Sequence, residues 1–145
     1  MEKAVEYTLK SEKRDFETVK VCSSSNAFDF ARKFYHDDIL IYESAFIMLI
    51  NRAGYITGYA KISQGGVCGT QVDVKIIAKY AIDSLASGVI FVHNHPSGNL
   101  IPSNQDKRFT NLVKKALGLF DINLLDSIII SDSDYYSMAD NGEIL

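Results

Sequence analysis

The stretch Val89-Ile90-Phe91-Val92-His93-Asn94-His95-Pro96-Ser97-Gly98-Asn99-Leu100-Ile101-Pro102-Ser103-Asn104-Gln105-Asp106 changes character twice. Four apolar residues form a short buried strand, and a polar loop punctuated by proline and glycine follows. A long amphipathic helix then runs from about Ser103 to Phe120. Upstream, Val74, Ile77, Ala78, Ala81, Ile82 and Leu85 recur at helical spacing, with Asp73 placed to cap their helix and Gly88 placed to end it. Downstream, a strand is expected from about Ile122 to Ile130. The first helix followed by the buried strand Val89–Val92 is the helix-to-strand pattern of a right-handed crossover in an α/β domain.

Further out, Ser44 to Ile50 is apolar at both parities, as a central strand covered on both faces would be. Asn51-Arg52-Ala53-Gly54 is short enough to join it as a hairpin to Tyr55–Ile62, with glycine where positive φ is needed. Ser25 can cap a helix of about ten residues, in which Ala27, Phe30, Ala31 and Phe34 share one face. Ala4 to Leu9 reads as a short strand, and Lys10 to Glu17 as a charged edge without a buried face. Gln64 to Thr70 reads as a glycine-rich loop, and Tyr135 to Met138 as a last short segment. These elements predict an α/β fold, a three-layer mixed sheet flanked by helices, over residues 1–145 as one domain whose first 25 residues are strand and charged edge.

Composition narrows the function. With 145 residues and 47% hydrophobic content, one core can bury roughly two-thirds of the unfolded surface, so a metal would serve chemistry and not folding. A net charge of -3 argues against holding duplex DNA by an overall field. Cys22 and Cys68 match no CxxC spacing and read as free thiols, and neither a signal peptide nor a membrane span is present. The expectation is a soluble cytoplasmic protein. Three histidines in total argue against a His-rich two-metal site.

His93 and His95 follow a buried strand, and residues i and i+2 of an extended chain point the same way, so two imidazoles converge. Two polar loop residues would show the same pattern. Ser103 and Asp106 have the spacing of a capping box, which helices carry without any function. On a helical wheel, however, Asp106 falls in the arc of Phe109, Leu112, Val113, Ala116, Leu117 and Phe120. A carboxylate aimed at the core needs a partner. A cation shared with the two imidazoles would make a His2Asp set that leaves the fourth tetrahedral position open to water, and zinc suits that donor set. A single His-Asn-His tripeptide does not make an HNH nuclease, and the PCxxC pair of zinc nucleobase deaminases is absent.

Glu43, then His93-x-His95, seven residues, and Ser103-x-x-Asp106 resembles the JAMM motif of the MPN+ (JAB1/MPN/Mov34) metalloproteases. The stretch HNHPSGNLIPSNQD most resembles the RadC family of bacterial JAB-domain proteins, and the likeness extends over roughly residues 26 to 145. The resemblance implies a JAB/MPN, cytidine-deaminase-like architecture and a hydrolase of peptide or isopeptide bonds acting on a peptide or protein. It also implies zinc held by His93, His95 and Asp106, with Glu43 activating the metal-bound water and Ser103 stabilising the oxyanion. General chemistry agrees, since zinc lowers the pKa of bound water to about 7 and a nearby carboxylate can pass its proton to the leaving amine.

The chain departs from the wider pattern in three places. Asn94 stands where many superfamily members have Ser or Thr, although RadC-type chains share it. Asp126-Ser127 replaces the Asp-His usual in RadC proteins. The helix-hairpin-helix-like region of longer RadC proteins, associated with DNA, is not expected here. Lys107, Arg108, Asn111, Lys114 and Lys115 form a basic helix strip that could meet phosphate, or simply face water. Cys68 could approach the metal but reads as an inert loop thiol, and Tyr135 and Tyr136 as packing residues. The rival reading is a DNA-repair-associated accessory protein whose metal is structural or acts on nucleic acid, with weak DNA binding.

Overall fold

The computed structural model describes residues 1–8, 10–12, 16–64 and 72–144. Their elements are β1 (Val19–Lys20), α1 (Ser24–Ala31) continued by a 3-10 turn (Arg32–Phe34), a 3-10 helix (Asp37–Leu40), β2 (Ser44–Ile50), β3 (Tyr55–Gln64), α2 (Val74–Asp83), β4 (Gly88–Asn94), α3 (Asn104–Gly118), β5 (Asn123–Ile130) and β6 (Tyr135–Ser137). The strands form one mixed sheet in the order β1-β3-β2-β4-β5-β6. Among adjacent strands only β4 and β5 run parallel, joined through α3. Strands β3 and β4, each antiparallel to β2, also run the same way, and α2 makes the expected helix-to-strand crossover between them.

Every residue of β2 and β4 is buried, because both sheet faces are covered. On one face Phe46, Met48, Ile50, Ile90, Val92, Ile128 and Ile130 pack with Ala27, Phe30 and Ala31 of α1. On the other, Ala45, Ile47, Leu49, Val89 and Phe91 meet Ile77 and Ala81 of α2 and Val113 and Leu117 of α3. Helix α1, the sheet, and α2 with α3 are therefore the three predicted layers, consistent with the JAB/MPN fold.

Several expectations are corrected. Residues 4–8 form no strand and are exposed; the edge of β3 is paired instead by Val19 and Lys20, opposite Ile56 and Tyr55. Ser23, not Ser25, caps α1, accepting from the Asn26 N–H. Helix α2 does not reach Gly88. It closes with Leu85 in the left-handed region (φ 54), where the Ala86 N–H donates to Ala81 O and the Leu85 N–H to Ile82 O, a Schellman termination that leaves the Leu85 side chain in solvent. Gly88 instead opens β4, where a Cβ would lie 2.8 Å from Leu125 Cδ1. On α3 the buried line is Thr110, Val113 and Leu117, whereas Leu112 and Phe120 are exposed. Residues 65–70 of the expected loop, with Cys68, lie outside the described residues, and Gln64 belongs to β3.

In the middle of β5, Asp126 is buried and accepts from Ser137 Oγ (2.6 Å), the Ser127 N–H (2.7 Å) and the Ala139 N–H (3.0 Å), tying down the turn after β6. Burial nevertheless pushes its pKa above the usual carboxylate value. Ser127, where RadC proteins usually carry histidine, is fully buried and accepts from Thr110 Oγ1 at 3.2 Å.

Candidate metal centre

The antiparallel register of β2 on β4 sets Ala45 against His93, so continuing it by two residues brings Glu43 opposite His95. Alternation then points Glu43, His93 and His95 toward the α3 side of the sheet. Their ligand atoms all lie within 4.8 Å of one another, so these three side chains could hold a metal ion. His93 is nearly buried, while Glu43 and His95 are half-buried.

The first turn of α3 brings Asp106 to the same point. Its Oδ1 is 3.3 Å from His93 Nε2, its Oδ2 is 3.2 Å from His95 Nε2, and the two imidazole Nε2 atoms are 3.2 Å apart. Donors around a tetrahedral ion bound at about 2.0 Å would be about 3.3 Å apart, so the spacing of the two imidazoles and the carboxylate fits such an ion. The chemistry of the set fits as well, because neutral imidazole and carboxylate suit a borderline divalent metal.

Neighbours fix the orientation of these groups unequally. His95 Nδ1 lies 2.6 Å from the Asn99 carbonyl oxygen, to which it can only donate; this assigns the Nδ1–H and turns the Nε2 lone pair toward His93 and Asp106. His93 Nδ1 is buried and has no hydrogen-bond partner among the described residues. Burial opposes ionisation of Asp106, but hydrogen bonds to His93 and His95, the charge of His93 and the Ser103 N–H together hold its carboxyl well below the usual range. The hydrogen bond to Asp106 raises the pKa of His95, against its partial burial.

Ser103 is the N-cap of α3. Its Oγ accepts from the Asp106 N–H at 3.0 Å, and Asp106 Oδ2 accepts from the Ser103 N–H at 2.8 Å, completing the capping box. The carboxylate that faces the imidazoles thus also closes the helix end. The cap occupies an oxygen lone pair of Ser103, so its hydroxyl proton stays available to donate.

Sequence reasoning missed the role of Asn94. It is fully buried on the α1 side of the sheet, with Oδ1 accepting from the Ser44 N–H (2.7 Å) and Nδ2 donating to the carbonyls of Ile39 (2.6 Å) and Tyr42 (2.8 Å). Strand alternation could have found it: between two residues facing one way, an amide must face the opposite core and needs partners there. Tyr35 was missed too, and its hydroxyl donates to the Ser44 carbonyl at 3.0 Å. Burial, helped by the Glu43 charge, pushes its pKa well above the usual value.

Of the basic strip on α3, Lys107 is paired with Glu143 at 3.5 Å. Glu143 also accepts from the Tyr136 hydroxyl at 3.0 Å, and the Tyr135 ring stacks on Phe28 and packs against the core, as expected. Among the described residues, no helix is long and apolar enough to cross a membrane.

The model of the RadC-like JAB domain matches residues 21–143. The UPF0758 protein of Flavobacterium johnsoniae is 37% identical over 123 residues, covering 85% of this chain and 53% of that protein. That of Porphyromonas gingivalis is 43% identical over 101 residues, 69% of this chain and 44% of that protein. That of Chlorobaculum tepidum is 32% identical over 124 residues, 86% of this chain and 55% of that protein. The chain spans about half the length of these curated relatives. A family match over most of the chain, joined to a fold that gathers Glu43, His93, His95 and Asp106, places the chain in the RadC-like JAB domain family.

Proposed function

We propose that this chain is a zinc-dependent hydrolase of peptide or isopeptide bonds, with His93, His95 and Asp106 as ligands and Glu43 as general base. The observation that carries the reading is the convergence of two imidazoles and a carboxylate 3.2 to 3.3 Å apart, with a second carboxylate beside them. Zinc bound there would supply a Lewis acid for the substrate carbonyl and lower the pKa of a coordinated water. Glu43 takes a proton from the attacking water as the new C–O bond forms, and returns it to the leaving nitrogen as the C–N bond breaks. The free proton of Ser103 faces the negative charge that develops on the carbonyl oxygen. Exposed apolar side chains next to the site residues in the chain suit a peptide: Leu40, Ile41 and Tyr42 immediately precede Glu43, and Ile101 lies in the loop between His95 and Asp106.

A peptide library incubated with zinc-loaded and with chelated protein tests the proposal. Cleavage that depends on zinc is the expected result, and no cleavage by fully loaded protein would overturn it. No specific observation favours a duplex-DNA partner. Zinc affinity should weaken as pH falls, because protons compete for the imidazoles. With Asp106 raising the pKa of His95, the loss begins above the ordinary histidine value of about 6.5 and deepens below it. Zinc titrations by calorimetry between pH 5.5 and 8 would show this; pH-independent affinity would contradict imidazole ligation.

A further inference from the structure

We infer that Asn94 is a positioning residue that sets Glu43 against the two histidines, acting from the opposite face of the sheet. The inference rests on the proposed role of Glu43. Residues 41–43 join the 3-10 helix to β2 and contain no element of their own, so local hydrogen bonding alone does not hold Glu43 in place. The Ile39 carbonyl lies in the last turn of that helix and the Tyr42 carbonyl two residues beyond its end, where intrahelical donors run out. Both are satisfied by the Asn94 amide, at 2.6 and 2.8 Å. The same side chain accepts from the Ser44 N–H at 2.7 Å. One amide therefore grips the backbone at Tyr42 and at Ser44, the residues on either side of Glu43.

Asn94 also sits between the two histidines in the same strand run. Its backbone is held in the sheet opposite Ile130, so the grip is referenced to the strand that presents His93 and His95. The three contacts need two donors and one acceptor on one short planar group. Aspartate lacks the donors, serine the reach to all three, and alanine leaves two buried carbonyls and an N–H without partners. Tyr35, donating to the Ser44 carbonyl, steadies the same residue from a second direction.

Asn94→Ala tests the inference, with Asn94→Ser as the milder variant should alanine impair folding, and circular dichroism as the check of fold. Three readouts are expected to move together. Hydrogen exchange at the Ser44 amide accelerates roughly tenfold, the scale of one lost hydrogen bond. The Glu43 side-chain carbon resonance, expected to shift when zinc is added to the parent protein, shifts less in the variant, while zinc affinity stays within about threefold because the three ligands are untouched. Hydrolysis falls roughly tenfold or more, and adding the change to Glu43→Gln produces no further fall, as expected when one residue acts through the other. Unchanged Ser44 exchange and an unchanged Glu43 resonance would overturn the inference, as would losses that multiply in the double variant. The first two readouts require only zinc. Their loss in a protein that cleaves nothing would support the positioning role and overturn the peptidase reading.

Discussion

Glu43→Gln is expected to lower hydrolysis by roughly 100-fold or more while zinc content and fold persist. Glutamine keeps the size of the side chain and one hydrogen-bonding oxygen but cannot take a proton from water. Glu43, His93 and His95 lie close enough together to hold a metal themselves, so Glu43 has a competing role as a ligand. The two roles separate on a single measurement. As a base, Glu43 leaves zinc affinity unchanged when replaced by glutamine; as a ligand, it takes affinity with it. Turnover by the glutamine variant at the parent rate would sink the mechanism even with every ligand confirmed.

His95→Ala and Asp106→Ala should each weaken zinc binding by roughly 10²- to 10³-fold, about the share one donor holds in a tetrahedral site. Metal-free stability distinguishes them. Asp106 also accepts from the Ser103 N–H, so its loss removes that half of the capping box while the Ser103 Oγ cap remains, and costs about 1 kcal/mol without any metal present. His95 caps nothing, and its replacement should leave the helix end intact. Denaturant unfolding of both variants in chelator, beside zinc titrations, gives the two quantities. Equal metal-free stabilities would show that the cap contributes little, and retained zinc affinity in both variants would refute the ligand assignment. Chelating the parent protein should lower its melting temperature without unfolding it at room temperature, because the cores on either side of the sheet close without the metal.

Much of this site is written in local sequence. Strand alternation places His93 and His95 on one side, and the wheel turns Asp106 inward, since both need only the period of a single element. What local pattern misses depends on partners distant in the chain. Thr110 is polar, so hydropathy rotated the buried arc of α3 toward Leu112 and Phe120, whereas Ser127 and Met138 supply the contacts that let a threonine go inside. Leu85 carries the left-handed turn that glycine was expected to make, and Gly88 is glycine because Leu125 crowds it. Ser23, Ser24 and Ser25 are indistinguishable by type, and only the direction of the Asn26 N–H selects the first. Asn94 shows its partners only after β4 and the 3-10 helix are packed together.

The double duty of Asp106 bears on how such chains lose activity. A descendant that gave up catalysis would be free to change His93 and His95, which satisfy each other and Asp106 but hold no secondary structure in place. It would still be under pressure to keep Ser103 and Asp106, because both the N–H of Ser103 and that of Asp106 need an acceptor at the start of α3. The Ser-x-x-Asp signature should therefore outlive the chemistry. In a decayed copy of this domain, the histidines are the positions that report whether the site is alive.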